Sequence, residues 1–129
     1  MNIPPELRYT KEHEWVLMED GVAIVGITDF AQSELGDIVY VELPSVGSGV
    51  NAAEPFGNIE SVKSVSDLFA PVSGTIADVN TRLSDSPELM NSDPFGEGWI
   101  VRIEPSNVAE LEELLTANEY AEYIGAETE

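Results

Sequence analysis

The sequence predicts a mainly β domain with short helices at its periphery and its C-terminal end. Three observations carry this. Apolar, β-branched and aromatic residues recur in short runs separated by Gly, Pro, Asn, Asp and Ser. The spacing of apolar residues becomes helical only after Ser106. Two segments recur in order at nearly the same offset, which points to two related halves of a quasi-symmetric β-sandwich. The 129 residues fit one domain, 1–129, with a β core over about 7–104 and a C-terminal helical segment over about 106–124.

Each element has a local cause. Trp15-Val16-Leu17-Met18 and Val22-Ala23-Ile24-Val25 flank Glu19-Asp20-Gly21, and Asp-Gly between apolar runs signals a hairpin. Residues 28–35 read as a short helix: Thr28 can cap it, an early acid suits its N-terminus, and Gly36 can close it. Residues 38–43 are the clearest strand, ended by Pro44. Short strands are expected around Val50, over 56–60 and over 68–72; Ser73-Gly74 turns the chain, and 75–79 continue the sheet. Residues 85–90 suggest one short capped helical turn with Pro87 at its first position. Residues 99–103 form the last strand. Val108, Leu111, Leu114 and Leu115 then share a helical face among Glu110, Glu112 and Glu113. A second helix is expected over 119–124, with Tyr120, Tyr123 and Ile124 apolar, and the tail over 127–129 is expected to fray. Trp15, Trp99, Phe56 and Phe95 are expected in the core.

The repeat pairs Gly36-Asp37-Ile38-Val39-Tyr40-Val41 with Gly74-Thr75-Ile76-Ala77-Asp78-Val79, an offset of 38 (74 minus 36). It also pairs Glu54-Pro55-Phe56-Gly57 with Asp93-Pro94-Phe95-Gly96, an offset of 39 (93 minus 54). Lys63 lies in the link between the halves, where a sandwich of this kind places an exposed hairpin.

Composition excludes several functions. No cysteine is present, which removes disulfides, thiolate metal sites and thiol nucleophiles. The single histidine, His13, has no metal cluster or base–nucleophile pair around it. The net charge of -20, from 25 acids against Arg8, Lys11, Lys63, Arg82 and Arg102, opposes nucleic acid and anionic membranes and favours basic protein partners. No run of about 18 apolar residues and no signal-type N-terminus occur, so a soluble intracellular protein is expected.

Only two lysines occur, and Lys63 sits in Ile59-Glu60-Ser61-Val62-Lys63-Ser64-Val65-Ser66-Asp67-Leu68 among small or apolar neighbours. A solubilising lysine is an odd device at -20, whereas one amine at a turn tip suits chemistry by a modifying enzyme. An ordinary surface lysine paired with Glu60 or Asp67 is the competing reading, and the residues alone leave both open.

Family resemblance separates them. Glu60-Ser61-Val62-Lys63-Ser64-Val65-Ser66-Asp67 resembles the lipoylation site of glycine cleavage H proteins. So do Tyr9-Thr10-Lys11-Glu12-His13-Glu14-Trp15-Val16, Gly26-Ile27-Thr28-Asp29-Phe30-Ala31-Gln32 and Leu35-Gly36-Asp37-Ile38-Val39-Tyr40-Val41-Glu42-Leu43-Pro44. Ala70-Pro71-Val72-Ser73-Gly74, Pro87-Glu88-Leu89-Met90-Asn91 and Gly96-Glu97-Gly98-Trp99 agree as well, so the resemblance runs in order from about Leu7 to Tyr123. Biotinyl domains usually flank the lysine with Met, and lipoyl domains of 2-oxoacid dehydrogenases usually place an acid before it; here the flanks are Val62 and Ser64. Acyl and peptidyl carriers use a serine in a helical bundle, which the strand pattern opposes.

The resemblance implies a barrel-sandwich hybrid, the flattened β-barrel of biotinyl and lipoyl carriers. It implies a monomeric carrier, not an enzyme, with lipoate in amide linkage to Lys63. Its partners would be a pyridoxal-phosphate glycine decarboxylase, a tetrahydrofolate-dependent aminomethyltransferase, a flavin-dependent dihydrolipoyl dehydrogenase, and a lipoate ligase or transferase that reads Glu60. The hard chemistry belongs to the cofactors and partner enzymes. The carrier would tether the sulfurs at high effective concentration near each docked site. The family parks its loaded arm in a groove near the His-Glu-Trp segment, so Glu14 and Asp67, with Glu12 and His13, are the groove candidates. A bacterial cytoplasm fits, with a mature mitochondrial matrix protein as the lesser reading. The alternatives are a relay passing lipoate to other enzymes and an unmodified acidic interaction module; an enzyme is disfavoured by the lack of a convergent acid, base and nucleophile.

Overall fold

The computed structural model describes residues 2–128, with side chains described as far as Gly125. Two antiparallel sheets face each other across an aliphatic core. The larger contains β1 (Arg8–Tyr9), β2 (Glu14–Glu19), β3 (Val22–Ile27), β5 (Gly49–Val50), β8 (Gly74–Val79) and β9 (Val101–Pro105), in the order β1-β2-β3-β9-β8-β5. The smaller is β4 (Ile38–Glu42), β6 (Pro55–Ser61) and β7 (Val65–Phe69), in the order β4-β6-β7. The mainly β class with short helices is as expected, but the sheets stay separate and do not close into a barrel.

The β2–β3 hairpin forms as its Asp-Gly turn requires, with φ of 52° at Asp20 and 80° at Gly21. Helix α1 (Asp29–Leu35) starts where Thr28 Oγ1 accepts the Ala31 amide, 3.1 Å away. It ends at Gly36, whose φ of 77° suits glycine. Val16, Val25, Ile38, Val41, Ile59, Leu68, Ile76, Val101 and Ile103 meet between the sheets. A second cluster of Leu7, Tyr9, Trp15, Ile24, Phe30, Tyr120 and Ile124 fastens the C-terminal helix α4 (Ala117–Thr128) to the body. Trp15 is fully buried there and donates to the Pro94 carbonyl, whereas Phe56, Phe95 and Trp99 are half-buried at the margins.

The duplication is visible in pairing. The β4–β6 ladder shifts register between Ile38 and Tyr40, and the β8–β9 ladder shifts between Ile76 and Asp78. Both boundaries differ by 38 (76 minus 38), the offset of the first sequence match. The second match diverges: Pro55-Phe56-Gly57 begins β6, and Pro94-Phe95-Gly96 lies in a turn.

Four local expectations are corrected. The strand placed at 68–72 is β7, which starts earlier, at Val65, and ends at Phe69, because Ala70 turns back to bond Glu54 and Pro71 has no amide to donate. The last strand begins two residues later than expected and ends at Pro105. The single turn over 85–90 is two, α2 (Arg82–Asp85) and α3 (Leu89–Ser92); Ser86 between them, at φ -134° and ψ 64°, is held out of the helical region by Pro87. The first C-terminal helix is a 3₁₀ segment, Val108–Glu113. Val108 is exposed, Leu111 and Leu114 pack against the core between the sheets, and Leu115 packs against the second cluster, so the four do not share one face. It stops because Leu115 exchanges backbone hydrogen bonds with Tyr9.

Helix α4 is longer than expected. Thr116 Oγ1 accepts from the Glu119 amide and Glu119 Oε1 accepts from the Thr116 amide, a reciprocal cap that holds the Glu119 carboxyl below its ordinary range. Of the tail expected to fray, the helix runs on to Thr128, and Glu129 lies outside the described residues. Among the described residues no helix is long and apolar enough to cross a membrane.

Candidate functional site

Lys63 stands in the three-residue link between β6 and β7, and its side chain is exposed. The link is braced from beneath by Ser61, which is buried. The Ser61 hydroxyl oxygen accepts from the Lys63 amide at 3.3 Å and the Ser64 amide at 3.1 Å, while the Ser61 amide donates to the Ser64 carbonyl at 2.8 Å. The Val62 amide donates to the Asp37 carbonyl at 3.0 Å, tying the tip to the segment after α1. The lysine stem lies beside Gly36: its Cε is 3.5 Å from where a Cβ would stand on that glycine.

Asn91 fixes the ground under this tip. Its Oδ1 accepts from the Ile38 amide at 2.9 Å, and its Nδ2 donates to the Gly36 carbonyl at 2.8 Å and to Gln32 Oε1 at 3.2 Å. One side chain thus closes the end of α1 and starts β4. Nothing local in the sequence singles out Asn91, because its partners are more than fifty residues away.

Lys63 makes no ion pair among the described residues, although Glu60 and Asp67 are both close in sequence. Glu60 is exposed on β6 opposite Val65, and Asp67 is exposed on β7 opposite Asn58. Val39, Tyr40, Val62 and Val65 are all exposed around the hairpin.

A groove of about 310 Å³ opens at the far end of β7. Tyr9, Ala52, Ala53, Phe69, Ala70, Pro71, Leu114 and Leu115 give it an apolar floor; Lys11, Glu12, Glu14, Glu110 and Glu113 give it charged walls. Of the four groove candidates, Glu12 and Glu14 line it; His13 and Asp67 do not. Asp67 stands two residues up β7 from Phe69. His13 turns the chain, with φ of 73°, and its ring packs against Phe30 and Tyr123 while its Nδ1 hydrogen-bonds the Tyr120 hydroxyl at 2.9 Å.

Glu14 is the unusual group. It is 1% exposed, yet it lines the groove, and its carboxyl bonds two other lining residues, Thr10 and Phe69. Oε1 accepts from the Thr10 hydroxyl at 2.6 Å, and Oε2 accepts from the Phe69 amide at 3.2 Å. The Glu14 amide in turn donates to Thr10 Oγ1 at 3.0 Å. No cation pairs with it among the described residues. Burial pushes its pKa up to about 7; the two donors pull it down, and neighbouring Glu12 pushes it further up. Thr10 was not distinguishable in the sequence, because a threonine four residues before an acid meets it only when the chain turns as His13 makes it turn.

Among the described residues no cluster of His, Cys, Asp and Glu could hold a metal ion. What the site offers is an exposed, rigidly based primary amine at one end of β7 and a buried, cation-free carboxyl at the other.

The model of the glycine cleavage H-protein family matches residues 7–127. The chain belongs to that family. It is 57% identical over 124 residues to the glycine cleavage system H protein of Geobacillus thermodenitrificans, covering 96% of this chain and 98% of the relative. The H protein of Bacillus subtilis is 56% identical over 122 residues, covering 95% and 96%. A crystal structure of the H protein from Mycobacterium marinum superposes with a TM-score of 0.88 at 46% identity, covering 95% of this chain and 99% of that one. As a member of the glycine cleavage H-protein family, the chain is a carrier component and not a catalyst.

Proposed function

We propose that this chain is the lipoyl-carrying shuttle of a glycine cleavage system, with lipoate in amide linkage to Lys63 Nζ. The supporting observation is the setting of Lys63: exposed at a hairpin tip, without an ion pair among the described residues, and held by the Ser61 and Asp37 bonds, so that a modifying enzyme can reach the amine without unfolding anything. Amide formation removes one of the five basic charges and leaves a neutral arm. When attached, the lipoyl group supplies a disulfide that can accept an aminomethyl unit and be left as a dithiol.

The shuttle would carry that unit from a pyridoxal-phosphate glycine decarboxylase to a tetrahydrofolate-dependent aminomethyltransferase, and then present the dithiol to dihydrolipoyl dehydrogenase. The residues of the chain do the rest. Ser61 and Asn91 hold the base of the arm. Glu60, exposed three residues before Lys63, is the feature a lipoate ligase or transferase reads. Glu14 and Glu12 on the groove wall receive the amine of the loaded arm, Asp67 flanks its path, and His13 sets the turn that aims Glu14. The surface of net charge -20 steers basic partner faces toward a monomer in a bacterial cytoplasm.

Intact mass of protein from lipoate-replete cells tests this. A gain of one lipoyl group, absent in Lys63→Arg, is expected; an unmodified native chain would overturn the proposal. Glycine–bicarbonate exchange with the cognate decarboxylase then separates a glycine cleavage shuttle, which supports it, from a lipoate relay, which does not.

A further inference from the structure

Glu14 is a carboxyl group taken out of water without a counter-charge. Each oxygen has one neutral donor, Thr10 Oγ1–H on one side and the Phe69 amide on the other. Neutral donors satisfy the lone pairs of a carboxylate but do not replace the solvation of a full charge. The surroundings do not supply it either. Glu12 from the same turn and Glu110 and Glu113 from the 3₁₀ segment line the groove and are acids, and Asp67, two residues up β7 from Phe69 and outside the groove lining, is another. Tyr9 from β1 is a phenol that burial keeps protonated. Lys11 is the one cation lining the groove, and it is exposed and unpaired among the described residues. Glu110 is already committed to Ser73, accepting from its amide at 2.7 Å and its hydroxyl at 3.0 Å. The place is therefore short of one positive charge, at the position where the loaded arm would bring one.

We infer that docking of the amine-bearing arm beside Glu14 expels a proton from its carboxyl group, and that Thr10 is the positioning residue that holds the carboxylate ready for the amine. The inference deepens the parking of the arm proposed above and rests on it. The balance is simple. A neutral carboxylic acid and an ammonium ion enter; a carboxylate–ammonium pair remains, and one proton leaves to solvent. Nothing is oxidised or reduced. By linkage, the arm is held best where Glu14 is already ionised, and its hold weakens about tenfold for each pH unit between the midpoint of the unloaded protein and the lower midpoint of the loaded one.

Thr10 is suited to this task by its two bonds. Its oxygen accepts the Glu14 amide, which fixes the hydroxyl near the carboxyl; its one proton is then free to point at Oε1. It stabilises the ionised form without supplying charge. Loss of the hydroxyl would make Glu14 harder to ionise and the arm harder to hold.

The test is a carbon NMR titration of the Glu14 carboxyl in lipoylated protein, before and after loading. Loading uses the reduced protein with formaldehyde and ammonia, which convert a thiol to an aminomethyl thioether with loss of water. Well above neutrality, loading should move the Glu14 resonance. The titration midpoint, near 7 in the unloaded protein, should fall by at least about one unit on loading. In Thr10→Val the unloaded midpoint should rise, and the pH at which the loaded arm begins to lose ammonia should rise with it; Thr10→Ser should restore both. A resonance that ignores loading well above neutrality would overturn the parking itself. A resonance that responds while its midpoint stays fixed would leave the parking standing and overturn the proton release. A Thr10→Val protein with an unmoved midpoint would remove Thr10 from the role.

Discussion

Glu14→Gln should make the protein more stable above neutral pH, although it removes a buried, hydrogen-bonded acid. Folding raises the Glu14 pKa from 4.5 to about 7, chiefly by burial. A carboxyl group whose pKa is raised on folding contributes stability at low pH, where both states are protonated, and that stability is lost as pH rises from 4.5 through 7. The interval of 2.5 units (7 minus 4.5), at about 1.4 kcal/mol per unit, gives a loss of roughly 3 kcal/mol. Glutamine mimics the neutral acid: its carbonyl can accept the Phe69 amide, and its N–H can point to Thr10 Oγ1, as the acid O–H would. Near pH 4.5 the two proteins should therefore agree within about 1 kcal/mol. Above pH 7 the variant should lead by roughly 2 to 3 kcal/mol. Urea unfolding of unmodified protein across this range measures it, and taking the difference between the two curves cancels the general repulsion of a chain at -20. Parallel curves would refute the reasoning, since they would mean that Glu14 is ionised at no cost.

Two further outcomes are expected. Asn91→Ala strands the Ile38 amide and the Gly36 carbonyl beneath the lysine hairpin, and should lower stability by about 1 to 3 kcal/mol in urea; a loss below about 0.5 kcal/mol would show that water replaces the side chain. Potassium chloride should raise the melting temperature by a few degrees up to about 1 M, where the screening length falls to about 3 Å. The described ion pairs between side chains, Arg82–Glu97 and Arg102–Asp78, neutralise little of the charge of -20; a melting temperature that stays level or falls with salt would argue against self-repulsion.

What was legible in the sequence was what local chemistry decides. Thr28 and Gly36 mark the ends of α1 because a cap and a positive φ act within one turn of chain. Asp20-Gly21 marks a hairpin for the same reason. Lys63 stood out by rarity and by its place between two half-motifs. The 3₁₀ segment was misread as an α-helix because Leu111 and Leu114 fit either period; the choice fell to Leu115, which pairs with Tyr9 across more than a hundred residues. Separation along the chain likewise hid the Asn91–Gly36 and Glu14–Phe69 bonds, whose partners are 55 residues apart. His13 sits beside Glu14 in the chain, but the turn between them sends one ring to the aromatic cluster and one carboxyl to the groove.

Strand β7 links the two halves of the proposed site. It begins two residues after Lys63 and ends at Phe69, whose amide holds the Glu14 carboxyl. From Val65 to Phe69 it spans roughly 13 Å, at about 3.3 Å per residue. Its pairing with β6 leaves the Phe69 amide on the outer edge, where Glu14 takes it up and so covers one of the free donors of an edge strand. The bond that seals the sheet edge is thus also one of the two that shape the buried acid. Because the Phe69 amide at the end of β7 bonds the Glu14 carboxyl of β2, the hairpin that carries the arm is tied at its far end to the carboxyl proposed to receive its cargo. No domain motion is needed to bring them into register; the arm has only to fold back along the strand that carries it.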